Sequence, residues 1–152
     1  MEKIGIMDSR IVSSVVNKYQ DGSSRDCIEY RGKFTIDELS KKLYEVYTAC
    51  QDDNWDGYEA YALTYAVYNK ALCLATDNIP CTSPMPDVVP EPDNGIGYEW
   101  ELDDDNYLII SVNETDEIAY IAKIKGKKNI KTVGAGEIKE LIANSLAEIY
   151  TN

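Results

Sequence analysis

The chain has 152 residues, 27 of them acidic and 15 basic, giving a net charge of −12, and it contains no histidine. A 44% hydrophobic content suits one ordinary core, so a single domain over residues 1–152 is expected, with 1–34 as a less legible N-terminal extension. Without a basic face the chain is not expected to bind nucleic-acid phosphates directly, and without histidine it excludes Ser-His-Asp and Cys-His catalysis and every histidine-containing zinc site.

No apolar run approaches a membrane span, and the N-terminus lacks the basic start and apolar stretch of an export signal. The expectation is a cytoplasmic protein with no membrane partner. Cys27, Cys50, Cys73 and Cys81 form no C-x-x-C pair, so reduced thiols are expected, with Cys50 and Cys73 at buried helical positions.

In chain order, Ile11, Val12, Val15, Val16 and Tyr19 fit one face of a short helix, and Gln20 to Asp26 reads as a loop. Cys27 to Phe34 reads as a short extended segment. Thr35-Ile36-Asp37-Glu38 has the form of a capping box. Ile36, Leu39, Leu43, Val46, Tyr47 and Cys50 follow at helical spacing and predict a helix over 36–51. Gln51 to Gly57 breaks it. A second helix, apolar nearly all round and therefore central, is predicted over 59–77. Tyr58, Tyr61, Tyr65 and Tyr68 recur at spacings that would line one of its faces, which suits either packing on the sheet or an aromatic interface.

Pro80, Pro84, Pro86, Pro90 and Pro92 then predict an extended linker over the surface. Alternating residues and turn signals predict an antiparallel meander of three or four strands over 97–133. Ile138, Leu141, Ile142, Leu146 and Ile149 share one face of a closing helix over 135–150. The fold class is α+β: two packed N-terminal helices, a proline-rich linker, the meander and a C-terminal helix.

Asp52, Asn54, Asp56 and Gly57 match positions 1, 3, 5 and 6 of a calcium-binding EF-hand loop, but Leu63 occupies position 12, where a bidentate Glu is required. A turn with Asp56 capping the next helix is the expected role. Asp103-Asp104-Asp105 lies in a hairpin turn, where neighbouring side chains do not converge on a metal. No phosphate-binding glycine loop or activated nucleophile is present. No catalytic residue, metal ligand or cofactor site is therefore assigned; a divalent-metal enzyme using Asp52, Asp56, Asp93 and Glu99 is the alternative.

Asn54-Trp55-Asp56-Gly57-Tyr58-Glu59-Ala60 resembles an N-W-D-G-Y-G-A signature. Pro84 to Trp100 resembles P-x-P-x-V-x-P-x-P-D-G-G-I-x-L-E-W. The pair is similar to that of a family of small bacterial and mobile-element proteins. That resemblance implies no established reaction; the motif itself reads as fold-defining, with Trp55 and Trp100 both expected to be largely buried in one core with the central helix.

The stretch from Ala71 to Ala122 holds no Lys or Arg and 12 carboxylates, so it supplies the net charge. Glu99, Glu101, Asp103, Asp104, Asp105, Glu114, Asp116 and Glu117 are expected to form one negative face, with Tyr61, Tyr65 and Tyr68 as a second contact surface. The functional expectation is an acidic, non-enzymatic module binding a basic protein. An inhibitor of a nucleic-acid-handling defence enzyme (anti-CRISPR-like mimicry) fits, as does an antitoxin or immunity protein neutralising a basic toxin. The sequence is silent on oligomeric state.

Overall fold

A computed structural model describes residues 33–150. The helix expected near Ile11–Tyr19, the loop and most of the Cys27–Phe34 segment lie outside them. By their contacts the described residues fall into two compact units. Lys33–Thr35 and Pro80–Pro84 belong to one, in which the Lys33 amide donates to the Cys81 carbonyl at 2.8 Å. Residues 36–79 and 85–150 form the other, which carries every helix and strand of the described residues.

The larger unit is α+β. Its elements are α1 (Ile36–Ala49), α2 (Tyr65–Asn78), β1 (Asp87–Glu91), β2 (Gly95–Asp103), β3 (Asn106–Val112), β4 (Ile118–Ile124), β5 (Lys127–Val133) and α3 (Ile138–Tyr150). The five strands form one sheet in sequence order, every neighbouring pair antiparallel. No helix among the described residues is long and apolar enough to cross a membrane.

The meander has one strand more than expected, because the proline-rich segment contributes β1. Proline removes a backbone donor and is tolerated only where that donor is not needed. Pro90 sits opposite Ile96 on the edge strand, where its ring costs no ladder hydrogen bond from a further neighbour.

The second helix starts six residues later than expected. Residues 51–64 form a loop in which four amides are satisfied by the loop's own side chains. Asn54 Oδ1 accepts from Glu59 N at 2.7 Å, Asp53 Oδ1 from Ala62 N at 2.9 Å, and Asp56 Oδ1 from Tyr58 N and Ala60 N at 2.8 and 3.1 Å. These bonds offer the backbone an alternative to helix, as short polar side chains do. Thr64 is the N-cap that finally starts α2, its hydroxyl accepting from Val67 N at 3.3 Å.

One face of the sheet carries the core. Ile96, Tyr98 and Trp100 of β2 lie in register with Val112, Ile110 and Leu108 of β3, and Tyr120 and Ala122 continue the layer on β4. Two buried hydroxyls tie the helices to it. Tyr98 donates to the Ala71 carbonyl of α2 at 2.7 Å, and Tyr120 shares a 2.6 Å hydrogen bond with Ser145 of α3. Burial pushes the Tyr98 phenol far above its ordinary range, so it stays a neutral donor.

The two tryptophans part company. Trp100 is 2% exposed within this core. Trp55 is half-buried and closes its own loop instead, its Nε1 donating to the Tyr61 carbonyl at 2.8 Å. Cys50 is buried as expected, but Cys73 is exposed, because α2 is covered along one side only.

Candidate functional site

Register decides where the carboxylates go. In an antiparallel meander, alternate turns lie at opposite ends of the strands. Asp103, Asp104 and Asp105 stand at the β2–β3 turn, while Glu114, Asp116 and Glu117 stand at the β3–β4 turn. The seven residues of β3 separate them by roughly 20 Å. The expected single negative face is therefore not formed: the eight acidic candidates are split between the two ends, with Glu99 and Glu101 on β2 in between.

At the first end the acids are interlaced with bases. The β4–β5 turn lies beside the β2–β3 turn, with Gly126 N donating to the Asp105 carbonyl at 3.1 Å and Lys125 N to Asn106 Oδ1 at 2.9 Å. Lys125 and Gly126 both adopt positive φ, the two-residue hairpin geometry that favours glycine. Lys123 approaches Asp105 at 3.7 Å, and Lys125, Lys127 and Lys128 follow closely in the chain. Within the acidic turn, Asp103 Oδ1 accepts from Asp105 N and Asn106 Nδ2, which fixes the turn.

At the other end three segments converge. Tyr61 N donates to the Pro92 carbonyl at 2.7 Å, joining loop 51–64 to the β1–β2 turn. Asn94, buried and at positive φ, links all three: its Oδ1 accepts from Thr64 N at 3.0 Å and its Nδ2 donates to Glu114 Oε2 at 2.6 Å. Lys70 of α2 donates to the Glu114 and Thr115 carbonyls and reaches Asp116 at 3.4 Å.

These three segments hold Asp52, Asp53, Asp56, Glu59, Glu91, Asp93, Glu114, Asp116 and Glu117 and no Lys or Arg of their own. None of Asp52, Asp53, Asp56, Glu59, Glu91 and Asp93 is read from the sequence as part of a partner-binding surface, because 51–59 and 91–93 are remote in sequence from 114–117. Asp52, Asp56 and Asp93 enter that reading as residues of the alternative metal enzyme, and Asp56 also as a cap. The signal that could have joined them is the pair of polar turn runs flanking β2 and β3.

Glu91 marks the inner rim of this end. Its carboxylate lies over Gly95 and Gly97, where a Cβ would come within 2.6 and 2.7 Å of its oxygens, and it accepts from the Ser111 hydroxyl at 2.5 Å. Burial pushes its pKa above the usual carboxylate range, with Asp93 and Glu99 adding to the rise and the serine opposing it.

The tyrosines do not form the expected stripe on one helix, because Tyr58 and Tyr61 lie in the loop. Tyr68 instead packs within a ring cluster: it stacks on Tyr47 of α1 at 4.5 Å between centroids, with Tyr44 at 6.2 Å and Tyr65 at 5.9 Å. Tyr58, Tyr61 and Tyr65 remain 86%, 66% and 65% exposed. All three belong to the acidic end, in its loop or in the first turn of α2.

No group of three or more Cys, Asp or Glu among the described residues is arranged to hold a metal ion. Asn54 and Asp56 of the calcium-like spacing, and Asp53 beside them, each use Oδ1 on backbone amides of the loop. Comparison with known protein families, curated proteins and solved structures finds no match to the chain.

Proposed function

We propose that the chain is a non-enzymatic binding module whose acidic end takes an arginine-rich surface of a partner protein, such as the nucleic-acid groove of an enzyme. The observation that carries this reading is the coincidence of base-free acidic segments with three exposed tyrosines. Carboxylates attract cations at long range, most effectively where few lysines cancel their field; here Lys70 reaches in beside Asp116, against nine carboxylates of the three segments. Tyrosine faces then hold a guanidinium at short range by cation–π contact, and tyrosine is enriched where protein partners bind tightly. Together they offer what a nucleic acid offers such a groove: negative charge alternating with flat rings.

The support favours binding over catalysis. Two carboxylates here, Asp53 and Asp56, already serve the loop's backbone, so they hold a shape rather than stand ready for proton transfer. Titration with nona-arginine and nona-lysine peptides tests the reading. Arginine should bind several-fold more tightly than lysine, both should weaken as salt rises, and Tyr58→Ala with Tyr61→Ala should erase the arginine preference. Equal affinity for the two peptides in the unsubstituted chain would contradict the role of the tyrosines.

A further inference from the structure

The sheet face turned away from α2 and α3 has its own pattern. Register places Ile109 beside Ile121 and Ile121 beside Ile130, so three isoleucines form one row across β3, β4 and β5. Strand alternation puts them opposite the core layer, and Ile130 is 63% exposed. Like charges flank the row. Asp87 pairs directly with Glu99 on one side, and Lys123 with Lys128 on the other. Like charges directly opposite on one face repel, so each flank is held at a cost within one chain. Burial, then Asp87 and Glu101, raise the Glu99 pKa, as such repulsion requires.

We propose that this face is a homodimer interface, covered by a second copy of the chain about a two-fold axis running along the strands between β3 and β4. That operation lays β2 over the second copy's β5 and β3 over its β4. Ile109 then faces Ile121 of the second copy, Tyr107 faces its Lys123, and Glu101 faces its Lys128. Glu101 of each copy meets Lys128 of the other, which relieves the Lys123–Lys128 repulsion at two places, while Glu99 lies over Ile130 of the second copy. The sheet edges suit this contact less: β1 carries Pro90, and β5 carries Lys127, Lys128 and Lys131. Four strands of about seven residues span only roughly 20 Å each way, which fits a dimer that dissociates on dilution.

Sedimentation equilibrium of the full chain over a concentration series tests this. A concentration-dependent dimer is expected. Ile130→Glu, at an exposed position, should weaken it about tenfold or more without lowering the melting temperature of the monomer. Glu101→Lys and Lys128→Glu should each weaken self-association, because each homodimer then sets like charges against each other twice. An equimolar mixture of these two variants should recover a dimer, since their heterodimer restores both opposite-charge pairs. A chain that stays monomeric throughout, or a dimer indifferent to the three substitutions, would overturn the proposal; a face filled by an unrelated protein gives the first of these.

Discussion

The two ends of the meander are made from the same material, short turns rich in Asp and Asn, yet they differ in what surrounds the charge. At the β2–β3 end, Asp103–Asp105 share their space with the β4–β5 turn and its lysines, and Lys123 pairs with Asp105. At the opposite end, loop 51–64 and two turns bring carboxylates together with Lys70 reaching in from α2, and leave three tyrosines in solvent. A net charge of −12 therefore says little about where the field lies. Strand register and one buried asparagine decide that.

The largest effect should come from the layer beneath both ends. Trp100→Ala is expected to cost about 3–5 kcal/mol in chemical denaturation, as large aromatic truncations in cores do. Trp55→Ala, from a half-buried ring, should cost clearly less. Equal costs would mean that the two tryptophans share one core after all.

Asn94→Ala comes next and acts on the acidic end alone. It removes bonds to Thr64 and Glu114 and puts an alanine at φ 63°, for an expected loss of about 2–3 kcal/mol. Asp56→Ala removes two amide acceptors from the loop, for about 1–2 kcal/mol, and added calcium should not alter the melting temperature of the unsubstituted chain. Thermal unfolding with and without calcium checks both statements.

Glu91 offers a test by pH. Its folded-state pKa is raised, so between the unfolded and folded values the folded chain binds more protons, and stability falls as pH rises through that window. Acidification from neutral pH into that window should raise stability through this residue, and Glu91→Gln should remove that gain. The smallest effect is expected at the other end. Asp103, Asp104 and Asp105 changed together to Asn should leave stability within about 0.5 kcal/mol, because the exposed ion pair contributes little and asparagine keeps the turn's acceptors.

Much of this fold is legible in the residues themselves. The Ile36–Cys50 spacing and the Ile138–Ile149 face mark α1 and α3 to within about three residues, and alternation around Trp100 marks the meander. Two features escape such reading for physical reasons. Tyr58 to Leu63 has helical spacing, but Asp53, Asn54 and Asp56 bind its amides first, and that competition is invisible to periodicity. Pro90 argues against a strand unless the strand is known to be an edge. The site was legible only in composition. Its acidic and aromatic residues were visible, but the bridges through Asn94 and Pro92 that gather one group of them and exclude Asp103–Asp105 are tertiary.

The most direct measurement compares the two ends at equal charge change. Asp52→Asn, Asp93→Asn and Glu117→Gln in one variant, and Asp103, Asp104 and Asp105 to Asn in another, each remove three negative charges. Stopped-flow association with a nona-arginine peptide at low salt should slow about tenfold for the first variant and less than about twofold for the second. Equal slowing would mean that only net charge matters, and greater slowing of the second would place the binding surface at the lysine-bearing end.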